Sequence, residues 1–140
     1  MTVPIIMHYL TRRFGFSASH RLHSTLLDAP ANTCTYGLCE NIHGHNYRLE
    51  VTVKGEIDPR TGFFGNVMEL AEIVKRLVVD PCEHQYLNDL PLFKGTTTTM
   101  ENLASRIWSA IEPELKQRGF ILSEVLLAET DENWVRLRGE

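Results

Sequence analysis

From Leu10 to His20 the chain alternates between two kinds of side chain. Phe14, Phe16, Ala18 and His20 share one side, and Arg13, Gly15, Ser17 and Ser19 share the other. A period of two predicts a half-buried strand. The pattern returns from about His43 to Lys54. There Tyr47, Leu49, Val51 and Val53 alternate with Asn46, Arg48, Glu50, Thr52 and Lys54. Between these segments, residues 21–42 have no period and contain Pro30, Asn32 and Gly37. So long a stretch without pattern predicts a functional or disordered loop.

After the turn-rich GEIDPRTGFFGN the period lengthens. Asn66 followed by Glu69 has the spacing of a capping box, and Val67, Leu70, Ala71, Val74, Leu77 and Val78 recur at helical spacing. Pro81 should end this helix. A loop through Glu83, His84 and Pro91 leads to a second helix from Thr98 or Thr99, with Met100, Leu103, Ala104, Ile107, Trp108 and Ile111 on one stripe. Pro113 predicts a break or restart and Gly119 an end. Two strands follow, Leu122 to Glu129 and Trp134 to Arg138, joined by TDEN. The order ββααββ predicts an α+β domain spanning residues 1–140: a four-stranded antiparallel sheet with both helices on one face. Its two open edges invite another copy, so an oligomer closing the sheet into a ring or barrel is expected.

Bulk composition adds limits. The 140 residues are 43% hydrophobic and 23% charged, enough for one real core. A net charge of -4 argues against a nucleic-acid partner but leaves room for a small anionic ligand. Three cysteines, Cys34, Cys39 and Cys82, have no framework spacing and read as reduced thiols of a cytoplasmic chain. The opening MTVPIIMHYL lacks a basic leader and a small-residue cleavage site, so no signal peptide is expected. No apolar run approaches the roughly 20 residues that span a membrane, so no membrane partner is expected.

The candidate chemistry lies at the start of the second strand, in CENIHGHNY. His43 and His45 project to one face of a strand, the face of Leu49, Val51 and Val53. His20 lies on the apolar face of the first strand. Pairing of the two strands brings three imidazoles to one end of the sheet, which is how a catalytic Zn2+ with an open fourth position is held. An all-nitrogen set also suits zinc better than magnesium or calcium. A lone histidine on an apolar face is more often a core residue, and His8 and His23 are placed in that class. Cys34 and Cys82 read as small buried hydrophobes. Cys39 reads either as another small buried hydrophobe or, beside a bound dication, as a thiol of lowered pKa that serves as base or nucleophile. Glu40 is either a solvated charge or a second proton acceptor. His84 beside Glu83 is an acid/base candidate. Glu101 fits a capping box opened by Thr98. Glu129, in phase with Val125 and Leu127, is an inward carboxylate that wants a partner or ligand.

Together, FSASHRL (16–22), C-x3-H-G-H-N-Y (39–47), GEIDPRTG, the EH pair at 83–84, T-x-E-N (99–102) and AETD (128–131) resemble the 6-pyruvoyl-tetrahydropterin synthase family, which includes the 6-carboxytetrahydropterin synthases of queuosine biosynthesis. The resemblance runs from Arg12 to Glu140. It implies a tunnelling fold (T-fold), trimeric barrels stacked into a homohexamer with sites at subunit interfaces, and 7,8-dihydroneopterin triphosphate as substrate. It implies a lyase with His20, His43 and His45 as zinc ligands, Cys39 as catalytic thiol and His84 as catalytic histidine. It also implies Glu129 as the pterin anchor, with Thr99 and Glu101 as further pterin contacts. Glu83 stands where the family has aspartate, and Met100 departs from its T-T-E-N. The spacing C-x3-H-G-H resembles the carboxy-forming enzymes rather than the C-x5-H-G-H of pyruvoyl-forming animal enzymes. Glu40-x2-H-G-H resembles the variant that cleaves the side chain to 6-hydroxymethyl-7,8-dihydropterin for folate synthesis, and the combination resembles a bifunctional subgroup. A non-catalytic zinc-stabilised binding module is the competing class; it requires a fourth protein ligand.

Overall fold

In a computed structural model, which describes residues 4–139, both alternating segments are long strands. Residues 1–3 of the opening segment and Glu140, the last residue of the expected domain, lie outside the described residues. Strand β1 (His8–His20) pairs antiparallel with β2 (His43–Gly55), β2 with β3 (Ile121–Ala128), and β3 with β4 (Trp134–Arg138). The expected four-stranded antiparallel sheet is therefore present, in the order β1-β2-β3-β4.

Register puts like with like. Phe14 faces Leu49, Phe16 faces Tyr47, and Leu49 and Val51 face Leu127 and Val125. A bulge opposite Thr52 and Val53 lets Leu122 and Val125 share the buried face although they are an odd number of residues apart. Helix α2 (Val67–Val74) opens behind the cap Asn66, whose side chain accepts from the Met68 N–H. Glu69 does not complete the capping box; its carboxylate lies 3.7 Å from Arg118. Helix α3 (Met100–Gln117) lies on the same face of the sheet. Leu70, Ile73, Val74, Leu103, Ile107, Ile111 and Leu115 are fully buried against the sheet. Each such side chain contributes about 1.5–3 kcal/mol on burial.

Four expectations change. The segment 21–42 is not structureless: it holds helix α1 (Ala29–Tyr36) and a 3-10 turn (Gly37–Glu40). Helix α1 buries only Asn32, so it has no apolar stripe to read. Its signal was the cap: Asp28 accepts from Ala31 N–H ahead of Pro30. Cys34, on this surface helix, is accordingly exposed rather than buried. Pro81 does not stop α2, which continues through a π turn (Lys75–Val79) to Cys82. The wider turn accommodates a ring that would clash with the carbonyl four residues back. Pro113 does not break α3 either, because the buried Ile111 and Leu115 hold both sides of it to the sheet. Gly119 does end α3. At φ +84 it lets Phe120 N–H reach the Leu115 carbonyl at 2.9 Å, and its own N–H reaches Lys116 at 3.0 Å.

Candidate active site

His20 and His43 are direct partners across β1 and β2, and His45 sits opposite Ala18. Strand alternation aims all three rings at one spot: their ligand atoms lie within 4.8 Å of one another. Gly44 between the two β2 histidines lets the strands close up, since a Cβ there would stand 3.3 Å from the Ala18 carbonyl.

The rings are held by their far nitrogens. His20 Nδ1 donates to the Thr98 carbonyl at 2.9 Å, and His43 Nδ1 donates to the Asn41 carbonyl at 2.7 Å. A ring that donates from Nδ1 keeps its Nε2 lone pair for a metal, and a carbonyl partner fixes its orientation. His20 Nε2 and His45 Nε2 are buried with no hydrogen-bond partner. Burial lowers the His20 pKa to about 4, against the raising effect of the Thr98 carbonyl, with His43 and His45 lowering it further. Burial, then His43, also lowers that of His45. Unprotonated imidazoles with free lone pairs fit zinc.

Glu129 follows the end of β3 and faces this cluster. Its Oε1 is 3.7 Å from His20 Nε2 and its Oε2 3.8 Å from His45 Nε2. Burial raises its pKa, His43 opposes the rise, and the nearby Glu101 adds to it. Thr99 and Glu101 stand at the start of α3, directly after the Thr98 carbonyl that holds His20. The cap of α3 is Thr99, which accepts from Asn102 N–H at 3.3 Å, and not Thr98 as the spacing suggested. The Thr98 hydroxyl instead donates to the Arg21 carbonyl at 3.1 Å.

Cys39 lies exposed on the 3-10 turn, its carbonyl accepting from Leu22 N–H at 2.8 Å, two residues beyond His20. Glu40 accepts from the Thr33 hydroxyl at 3.2 Å and lies 3.5 Å from His23 Nδ1. His23 is thus a half-exposed partner of Glu40 rather than a core residue. Cys82 is buried as expected, and burial pushes its thiol up to about 12.

Glu83 and His84 meet, Oε1 to Nε2, at 3.1 Å. His84 has φ 56, a left-handed conformation that costs a non-glycine residue energy. Its N–H donates to the Ser17 carbonyl at 2.7 Å, and Ser19 N–H donates to the Gln85 carbonyl at 3.0 Å. This loop is therefore stitched to the outer edge of β1. Among the described residues, no hydrogen bond or ion pair joins the 83–84 pair to the three histidines.

Sequence reasoning missed Thr98 and Asn41, which act through backbone carbonyls and leave no trace in residue type. It also missed Tyr47, fully buried beside His20 and His45 with an unpartnered hydroxyl. Burial, then Glu129 and Cys82, raises its pKa. Its place in H-G-H-N-Y, in phase with the histidines, was the available signal.

The profile of the family described as 6-pyruvoyl tetrahydropterin synthase matches residues 9–140. The 6-pyruvoyl tetrahydrobiopterin synthase of Dictyostelium discoideum is 48% identical over 94% of this chain and 96% of its own length. The Homo sapiens protein of that name is 40% identical over 94% of this chain and 91% of its own. The structure of Caenorhabditis elegans 6-pyruvoyl tetrahydropterin synthase superposes with a TM-score of 0.84 at 33% identity, covering 99% of this chain and 100% of that one.

Proposed function

The chain belongs to the 6-pyruvoyl tetrahydropterin synthase family, and on that premise we propose that it is a lyase converting 7,8-dihydroneopterin triphosphate to 6-pyruvoyl-tetrahydropterin with loss of triphosphate. The carrying observation is the set of three imidazoles whose ligand atoms converge within 4.8 Å, with Nδ1 of His20 and of His43 donating to backbone carbonyls and Nε2 of His20 and of His45 buried without a partner. His20, His43 and His45 would hold Zn2+, which when bound lowers the pKa of side-chain hydroxyls as a Lewis acid. The relatives' names favour the pyruvoyl product over the carboxy product that the C-x3-H-G-H spacing resembles.

Cys39 removes the carbon-bound proton next to the ring, and His84, steadied by Glu83, relays or returns protons. Glu129, with Thr99 and Glu101, accepts hydrogen bonds from the pterin amino and ring N–H groups and fixes orientation. The site is completed between subunits of a homohexamer. This is supported by the exposed Leu38 (86%) and Ile42 (67%), which flank Cys39 and Glu40, and by the free strand edges. Among the described residues, no helix is long and apolar enough to cross a membrane. A cytoplasmic location fits the free thiols.

The test is product analysis of zinc-loaded protein incubated with 7,8-dihydroneopterin triphosphate. Release of triphosphate with 6-pyruvoyl-tetrahydropterin is expected. Unchanged substrate overturns the assignment, and a 6-carboxy or 6-hydroxymethyl product reassigns the reaction within the family.

A further inference from the structure

We propose that Glu129 is also a metal ligand: with no pterin bound its carboxylate closes the fourth position on the ion, and the pterin ring draws it away. The inference rests on the three-histidine metal site above and goes beyond it.

The geometry sets two hydrogen-bond acceptors face to face. His20 donates from Nδ1 to Thr98, so its Nε2 presents a lone pair. Across 3.7 Å stands Glu129 Oε1, and Oε2 stands 3.8 Å from His45 Nε2. Lone pairs opposed in this way repel unless a proton or a metal ion lies between them, and gaps of 3.7 and 3.8 Å are too wide for a hydrogen bond. Tetrahedral zinc with bonds of about 2.0–2.1 Å sets its ligand atoms about 3.3 Å apart, a few tenths of an ångström inside these gaps. An ion held by the histidines is therefore within reach of Glu129 through a small side-chain rotation.

Charge points the same way. Three neutral imidazoles leave a dication uncompensated beside His20, which is 1% exposed. A carboxylate at the fourth position halves that charge. A carboxylate turned onto the ion faces His20 and His45 and no longer offers both oxygens side by side to the amino and ring N–H groups of a pterin, so ring binding and metal closure compete. The resting site is closed to water and stray anions, and it opens when the ring that the reaction needs arrives. The negative coupling must be reciprocal: bound metal weakens the ring, and the ring weakens bound metal.

The experiment uses metal-free wild type, Glu129→Gln and His43→Ala, each loaded with Co2+ for its visible spectrum and titrated with Zn2+ against a chromophoric chelator. Unsubstituted pterin, which has no side-chain hydroxyls, is the competing probe. Glu129→Gln should bind Zn2+ about 10-fold or more weakly and show an altered cobalt spectrum. Pterin should shift the wild-type spectrum towards that of Glu129→Gln and weaken wild-type Zn2+ binding. Superimposable cobalt spectra overturn the proposal even if affinity falls, because the carboxylate would then act only through its field. Pterin that leaves wild-type Zn2+ affinity unchanged overturns it as well. His43→Ala keeps the two failures apart: if it binds Zn2+ like wild type, the three-histidine site itself is wrong.

Discussion

Two histidine-bearing regions of this chain are built on opposite principles. His20, His43 and His45 stand on paired strands and share one face, and backbone carbonyls fix the rings of His20 and His43. His84 stands on a loop, is 81% exposed, and sits in a left-handed backbone conformation beside Glu83. A ligand set needs atoms held in place before the ion arrives. The proton carrier proposed for His84 needs reach, which a held backbone and an unheld ring would supply. The stitching of residues 84–85 to Ser17 and Ser19 holds that backbone.

Removing a ligand should break the contrast most severely. His20→Ala should lose both zinc and activity, read by metal analysis and turnover; full zinc occupancy in the variant would show that the strand-borne site is not the metal site. Next comes Cys39→Ala, with an expected loss of about 10²–10⁴-fold in formation of the pyruvoyl product and zinc retained. Glu40→Ala sharpens this result. If Glu40 is a base for side-chain cleavage, the hydroxymethyl product falls while the pyruvoyl product persists; if both rates stay within a few-fold, its contacts to Thr33 and His23 are its whole role. His84→Gly should lower turnover about 10²-fold yet raise stability by about 1 kcal/mol through relief of backbone strain, measured by denaturant unfolding. Loss of zinc in this variant would join two regions that are here held separate.

The last effect is in pH. The folded-state pKa of His20 lies below its unfolded value, so the unfolded chain binds the proton first. The metal-free protein should keep this contribution above pH 6.5 and lose about 3 kcal/mol as pH falls to about 4. Zinc should oppose the loss, since it binds the unprotonated ring. A flat stability profile across that window in metal-free protein would mean that His20 is not buried as neutral imidazole.

The three-histidine cluster was legible because strands carry a strict period of two. Once His20, His43 and His45 were in phase with Phe16, Tyr47 and Leu49, only pairing was needed to bring them together. Glu129 was legible for the same reason, through Val125 and Leu127. The helices read well where burial was one-sided, as along α3. Reading failed where tertiary packing overrode a local rule, at Pro81 and Pro113, and where a helix had no buried stripe, at α1. It also failed at Thr98, whose part is played by a carbonyl that every residue owns. The meeting of His84 with Glu83 was readable from adjacency, but the fastening of their loop to β1 was not, since nothing in Ser17 or Ser19 distinguishes them from any polar strand residues.

That fastening also sets a stop. The Ser17 carbonyl and the N–H groups of Ser17 and Ser19, which point off the sheet, are already taken by His84 N–H, the Glu83 carboxylate and the Gln85 carbonyl, so a strand from another copy would pair with the β1 edge along Tyr9 to Gly15. This leaves a ruler of seven residues, about 23 Å long, with one end blocked. A neighbouring strand that slid further would have to displace the loop carrying His84. The same few hydrogen bonds that present the proposed proton carrier would therefore choose the register of any joint with another copy along this edge.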